Sequence, residues 1–117
     1  MNQNQENQIL AAASVYNEKY FINPDFKSIP QQVRDEIQYL CIKTAKDLHC
    51  IFTIGFKPNG DVVFTTQGDQ TDKIYNENFA EKKVTKIIDE KAGLIQSLNL
   101  WYKVFVLKEI PDTETGI

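Results

Sequence analysis

The segment IFTIGFKPNGDVVFTTQ, residues 51–67, has the sequence pattern of a β-hairpin. Apolar and polar residues alternate before a Pro-Asn-Gly sequence, and an apolar run resumes after it. Pro58 and Asn59 suit the central positions of a type I turn, and Gly60 suits the left-handed position that follows. The sequence therefore predicts two antiparallel strands joined by a three-residue loop.

The length of this loop determines which residues face each other. A three-residue loop places Phe52, Ile54 and Phe56 on one face of the ribbon, with Phe64 opposite Ile54. A two-residue Asn-Gly loop would shift the pairing by one residue and mix polar with apolar side chains. We therefore expect a hairpin with one apolar face, which the rest of the chain must cover.

Two helices are predicted before the hairpin. Apolar residues at helical spacing indicate a first helix from about Glu6 to Phe21, although the aromatic and β-branched residues of its second half also allow a strand. A second helix is predicted to begin with Ser28 as its cap and Pro30 in its first turn. Its apolar side continues to about His49.

A long third helix is predicted after the hairpin. Asn78 and Glu81 have the spacing of a capping box, with Asp72 as a rival start, and an apolar stripe continues through most of the remaining chain. Gly93 weakens this helix by about 1 kcal/mol relative to alanine. Residues 100–107 are also rich in aromatic and β-branched side chains, so a strand is the alternative there.

These elements predict a single α+β domain over residues 1–117, in the order helix, helix, β-hairpin, long helix. Residues 1–5 and 110–117 are expected to be flexible tails. The composition, 42% hydrophobic and 25% charged, is that of a globular protein. No apolar stretch is long enough to cross a bilayer, and the N-terminal segment lacks the features of a signal peptide. We therefore expect a cytoplasmic protein that does not bind membranes.

Few residues in the sequence are candidates for catalysis or for metal binding. The net charge of −3 disfavours nucleic-acid binding, which depends on clustered Lys and Arg. Cys41, His49 and Cys50 lack the spacing of a zinc site, and both cysteines are expected to be buried thiols. No P-loop, nucleophile elbow or other catalytic motif occurs. We predict no cofactor, metal or catalytic residue, and enzymatic activity is not favoured.

The largest apolar excess lies near the C-terminus. A helix with apolar side chains on nearly all sides needs more than one covering surface, and a two-stranded ribbon with open edges also needs cover. The other helices of the chain can supply it, but a second copy of the chain is slightly favoured. The expected interaction surface consists of Leu100, Trp101, Val104 and Leu107.

Three short segments resemble a family of small uncharacterised proteins from Firmicutes, many of them clostridial. The segments are YNEKYFINP (residues 16–24), IGF (residues 54–56) and LWYK (residues 100–103). The resemblance extends from about Ala12 to Leu107. It implies no activity and no catalytic residues, but it implies a cytoplasmic bacterial setting and is compatible with an origin on mobile or phage-derived DNA.

Three functional hypotheses remain open. The leading one is a non-enzymatic protein–protein interaction module that acts as a homodimer. The second is a small-ligand-binding protein or minor enzyme with a pocket between hairpin and helices, its mouth formed by Tyr16, Tyr20, His49 and Tyr102. The third is an acidic inhibitor that occupies the site of a nucleic-acid-binding protein, acting through the carboxylates of Asp61, Asp69, Asp72 and Glu77.

Overall fold

The structure is a computed structural model that describes residues 6–109. The tails predicted at residues 1–5 and 110–117 lie outside this part of the chain. The elements along the chain are β1 (Gln8–Ser14), β2 (Lys19–Ile22), a 3-10 turn (Pro24–Phe26), α1 (Gln31–Leu48), β3 (Ile51–Phe56), β4 (Val62–Gln67), α2 (Glu77–Glu90) and α3 (Ala92–Phe105). The four strands form one antiparallel sheet in the order β2-β1-β3-β4. The predicted α+β class is confirmed, whereas the predicted order of elements is wrong at its start.

The hairpin β3-β4 has the predicted register. Phe56 pairs with Val62 and Ile54 pairs with Phe64 across the two strands. Gly60 adopts the left-handed conformation, with φ of 96°, that the three-residue loop requires. The apolar row of β3 is buried, as predicted: Phe52, Ile54 and Phe56.

The helix predicted from Glu6 to Phe21 is wrong, because this segment forms β1 and β2. Tertiary pairing overrides the local helical spacing: β1 pairs with the free side of β3, and β2 pairs with the outer side of β1. The strand alternative for the second half of the segment is confirmed at residues 19–22. The turn between the strands places Glu18 in the left-handed region, with φ of 53°.

A β-bulge allows β1 to bury adjacent side chains. The pairing with β3 shifts between Ile9 and Ala11, so that Leu10 is an extra residue in the strand. Leu10, Ala11 and Ala13 are buried under the helices, whereas Ile9 is half-exposed on the other face of the sheet. A bulge breaks the two-residue alternation by which a strand is recognised in sequence, which explains why β1 resembled a helix.

Helix α1 is confirmed over nearly its whole predicted length. Its N-terminal cap differs from the prediction, because the cap position is Pro30 and no side chain caps the helix there. Ser28 is therefore not the cap. At the other end His49 closes the helix in the left-handed conformation, with φ of 58°.

The predicted start of the third helix is also wrong. The side chain of Asn76, rather than that of Asn78 or Asp72, accepts a hydrogen bond from the Phe79 backbone N–H at 2.9 Å and caps α2. The helix alternative for residues 100–107 is confirmed as far as the end of α3.

The predicted long helix is two helices that meet at Lys91. The backbone of Lys91 leaves the helical conformation, with φ of −108° and ψ of 27°, and its ammonium group lies 3.3 Å from the carboxylate of Glu36 on α1. Helices α1, α2 and α3 contact the sheet and share one apolar core with the buried row of β3. No helix within residues 6–109 is long and apolar enough to cross a membrane.

Candidate functional site

Three side chains from separate connections meet in a polar cluster. Tyr16 lies in the β1-β2 turn, His49 closes α1, and Asp72 lies between β4 and α2. The Tyr16 hydroxyl donates to Asp72 Oδ2 at 2.6 Å, and His49 Nδ1 lies 2.6 Å from the same oxygen. The rings of Tyr16 and His49 pack edge to face, with centroids 5.6 Å apart. The Tyr16 hydroxyl also accepts the Asp69 backbone N–H at 2.9 Å, so the cluster joins three connections of the fold.

The Asp72 carboxylate is the centre of this cluster, and its side chain is only 6% exposed. The hydrogen bond from Tyr16 contributes most to lowering the pKa of Asp72, and the His49 ring and the Ile74 backbone N–H lower it further. Asp72 is therefore an acceptor at neutral pH, and Nδ1 of His49 carries the proton that it accepts.

An aspartate that orients a histidine occurs in many catalytic sites, but a reaction also needs a nucleophile and room for a substrate. Cys50, the neighbour of His49, is buried, and burial raises the pKa of its thiol to about 11. Tyr16, His49 and Asp72 line neither the cavity between the β1-β2 hairpin and α1 nor the groove along the outer side of α1. The geometry of the cluster is that of a clamp between connections.

A cavity of about 360 Å³ lies between the β1-β2 hairpin and the second half of α1. Tyr20 is the member of the predicted pocket mouth that the cavity includes. Its hydroxyl oxygen is buried and has no hydrogen-bond partner among the described residues. The cavity is lined by Ala13, Ser14, Val15, Glu18, Lys19, Tyr20, Ile42, Ala45 and Lys46.

The four residues predicted at one pocket mouth therefore lie in three places. Tyr16 and His49 are together in the polar cluster, and Tyr20 lines the cavity. Tyr102 is buried in the core, where its ring lies 4.5 Å from that of Phe56 between centroids. It is not at the mouth of a pocket.

The C-terminal helix carries an exposed apolar surface, which we call the α3 patch. Leu100 and Phe105 are 57% and 56% exposed, and Leu107 is exposed to a smaller extent. Trp101 is half-buried and stacks on Phe105 with ring centroids 5.5 Å apart. The patch comprises Leu100, Trp101, Val104, Phe105 and Leu107.

A family of unknown function (DUF6145) matches residues 7–110. The chain belongs to this family. The match confirms the resemblance to a family of uncharacterised proteins that residues 16–24, 54–56 and 100–103 indicated; the Firmicutes origin stays a prediction. No curated protein and no solved structure matches the chain.

The two cysteines of this DUF6145 chain are buried free thiols, as predicted. Burial raises the pKa of Cys41 to about 12, so neither thiol is a ready nucleophile or metal ligand at neutral pH. Among residues 6–109, no three His, Cys, Asp or Glu side chains are grouped so that they could hold a metal ion.

Asp72 is the member of the polar cluster whose role was least visible in the sequence. It is 23 residues from His49 and 56 from Tyr16, and no local spacing connects the three. Its internal hydrogen bonds also bear on the inhibitor hypothesis. Asp69 is likewise occupied, because its carboxylate accepts from the Thr71 backbone and hydroxyl at 2.8 Å. Asp61 Oδ2 also accepts from Asn59 Nδ2 at 3.2 Å, so three of the four carboxylates that this hypothesis requires are engaged within the chain.

Proposed function

We propose that this DUF6145 protein is a non-enzymatic interaction module that forms a homodimer through the α3 patch. The observation that carries the proposal is the concentration of exposed apolar side chains on one short segment. Ten large hydrophobic side chains are exposed among residues 6–109, and three of them lie between Leu100 and Leu107. Contiguous apolar surface of this kind is typical of protein–protein contacts. The cytoplasmic bacterial setting implied by the sequence resemblance belongs to the same proposal.

The position of the patch on the helix supports an external partner. Leu94, Leu98 and Tyr102 form the buried side of α3. At 3.6 residues per turn, Leu100 and Val104 lie on the opposite side, away from the core of their own chain. A partner that covers these side chains therefore has to come from outside the core of the chain.

The composition of this outward face favours a second copy of the chain. A two-fold interface brings a patch against itself, so a charged patch would place like charges together. The outward positions that precede Leu100, namely Gly93, Gln96 and Ser97, are uncharged, and Lys103 is the charged residue in the last turns of this face. A two-fold contact over the uncharged part of this face therefore brings no like charges together, provided that it leaves the Lys103 ammonium group in solvent.

A dimer interface at the α3 patch would occupy a small share of the protein surface. A standard interface buries roughly 800 Å² per partner. The whole chain exposes 8083 Å², so such an interface would cover about one tenth of this surface. The 3-10 turn borders the patch, because its buried Phe26 packs on Trp101 with ring centroids 5.8 Å apart.

The experiment is a measurement of molar mass by light scattering for the wild type and for Leu100→Asp. We expect twice the chain mass for the wild type and a single chain mass for the variant, because a carboxylate in the centre of the contact is desolvated without a partner. The matched control is Ile88→Asp, which places the same charge at a 49% exposed aliphatic position on α2. The control variant should remain dimeric.

Trp101 supplies a second readout, because it is the only tryptophan of the chain. Dilution of the wild type should shift its emission to longer wavelength as the patch becomes hydrated, whereas folded Leu100→Asp should show the dissociated spectrum at every concentration. A wild type that remains monomeric at about 100 μM, far above the Kd of a micromolar dimer, contradicts the proposal. So does a dimer that Leu100→Asp leaves intact.

A further inference from the structure

The cavity beside Tyr20 has the dimensions of a small-molecule site. Its volume of about 360 Å³ lies within the usual range for ligand pockets, roughly 300–1,000 Å³. Its walls belong to β1, to β2 with the preceding turn, and to α1, and these elements are joined by the core. The cavity shares no residue with the α3 patch, so the two surfaces are independent.

Small side chains in its walls produce the hollow. Ala13 on β1 and Ala45 on α1 are both buried lining residues at the place where helix and sheet face each other. The rings and branched chains that complete the wall are those of Val15, Tyr20 and Ile42, which are only partly buried. An apolar ligand body placed here would exclude water from these side chains.

The rim of the cavity carries more positive than negative charge. Lys19, Lys46 and Glu18 line it, and none of them forms a salt bridge or a side-chain hydrogen bond within residues 6–109. On the same helix Lys43 is paired with Asp47 at 3.1 Å. Two uncommitted ammonium groups against one carboxylate give a local charge of +1 in a protein whose net charge is −3. A monoanion matches this balance, whereas a phosphate monoester carries about −1.5 to −2 charges.

The Tyr20 hydroxyl adds a polar requirement. Only two buried side-chain polar atoms lack a partner among the described residues, and the Tyr20 hydroxyl oxygen is one of them. Burial raises the pKa of Tyr20 to about 12, so the hydroxyl remains protonated at neutral pH and acts as a donor. The oxygen itself has no exposed surface, so an acceptor that entered the cavity would satisfy it once rotation about the Tyr20 Cα–Cβ bond brought the hydroxyl to the cavity.

We infer that this cavity binds a small amphipathic carboxylate, about the size of benzoate or hexanoate. The carboxylate contacts Lys19 and Lys46, and the apolar body rests on Tyr20 and Ile42. An oxygen of the ligand accepts from the Tyr20 hydroxyl. This inference develops the ligand-binding hypothesis of the sequence analysis and does not depend on dimerisation.

The test is a titration of ¹⁵N-labelled full-length protein, observed by NMR, with benzoate and hexanoate as probes and benzamide and hexanamide as uncharged controls. We expect saturable shifts of the backbone amides of residues 13–20 and 42–46, with a Kd of about 1 mM or tighter for at least one carboxylate. The amide of the same body should bind about tenfold more weakly or worse. Inorganic phosphate, which has charge but no apolar body, should produce no saturable shift of these residues.

Variants assign the contacts. The double variant Lys19→Gln/Lys46→Gln should weaken carboxylate binding at least about tenfold, because the charge-assisted contacts of both lysines are lost. The control Lys43→Gln, on the same helix but outside the cavity, should change the Kd by less than about twofold. Tyr20→Phe should also weaken binding, without loss of folded structure.

Several results would overturn the inference. These are the absence of saturable binding of both carboxylates below about 10 mM, equal binding of carboxylates and amides, or an unchanged Kd in the double lysine variant. Phosphate binding as tight as that of the carboxylates would also overturn it, because the apolar wall would then contribute nothing.

Discussion

Replacing Tyr20 by phenylalanine should stabilise the protein, although it removes a polar group. The Tyr20 hydroxyl is buried and has neither a protein partner nor exposed surface among the described residues. An unpaired buried hydroxyl costs about 1–3 kcal/mol, because its hydrogen bond to water is lost on folding without replacement. Since the residue as a whole is only partly buried, we take the lower limit and expect the free energy of unfolding to rise by about 1 kcal/mol.

For a domain of about 100 residues this corresponds to a rise in Tm of about 4–8 °C. The measurement is thermal and urea unfolding followed by circular dichroism, with no carboxylate in the buffer. The matched control is Tyr75→Phe, the same chemical change at a part-buried hydroxyl that lies 2.9 Å from Thr66 Oγ1. Loss of that bond should lower the free energy of unfolding by about 1 kcal/mol. Tyr39→Phe, on the exposed side of α1, should change it by less than about 0.5 kcal/mol.

The three variants make the same chemical change, so the differences in their free energies of unfolding should reflect the hydrogen-bond partners and the burial of the three hydroxyls. A Tyr20→Phe protein that is less stable than the wild type would refute the reasoning, because the hydroxyl would then have a partner that stabilises the fold. A Tyr75→Phe protein that gained as much as Tyr20→Phe would refute it equally, since the gain would then come from removing any hydroxyl. If Tyr20→Phe is both more stable and a weaker carboxylate binder, the unpaired hydroxyl is retained at the expense of stability for binding.

Two further predictions concern backbone packing and acid stability. Gly55→Ala should lower the free energy of unfolding by about 1–3 kcal/mol in urea denaturation, because the new Cβ would lie 2.7 Å from the Gln8 carbonyl oxygen. Gly93→Ala, where a Cβ meets nothing within 4 Å, should instead raise the free energy of unfolding by up to about 1 kcal/mol. Equal effects of the two substitutions would contradict this account. The lowered pKa of Asp72 means that the folded state favours the ionised carboxylate, so its contribution to stability is present above the usual Asp pKa of about 4 and is lost as the pH falls below that value. Tyr16→Phe removes the largest cause of the lowered pKa of Asp72, so the free energy of unfolding of the variant should fall less than that of the wild type between about pH 5 and pH 2. Parallel profiles of the free energy of unfolding against pH would show that the hydrogen bond from Tyr16 is not the cause.

The parts of the fold that were predictable from sequence are those set by local chemistry. The loop at residues 58–60 determines the register of β3-β4, because a left-handed glycine after a type I turn permits only one pairing of the flanking residues. Helix α1 likewise follows from its own apolar side. The start of α2 was missed because Asn76, Asn78 and Asp72 are all good caps, and only the fold decides which of them stands at the end of the helix.

The parts that were not predictable depend on contacts between distant segments. The sheet gains β1 because β3 has a free side, and this pairing joins residues about forty positions apart, such as Ala13 and Phe52. The polar cluster has the same origin, since Tyr16 and Asp72 meet only after β1 and β4 have taken their places in the sheet. Spacing along the chain carries no information about either contact.

The cavity lies where the local rules and the fold disagree most. Residues 11–13 are three alanines, and alanine is the best helix former. They nevertheless form the middle of strand β1, where β-branched residues would be favoured. Glu18, which also lines the cavity, holds a left-handed conformation that is uncommon for a residue with a side chain, and the Tyr20 hydroxyl is buried without a partner. Each of these features costs stability. Departures from local preference are expected to concentrate at functional sites, because there the geometry is selected for binding as well as for folding. Their coincidence around one hollow, beside two lysines without ion-pair partners in residues 6–109, is the physical reason to look for a ligand there.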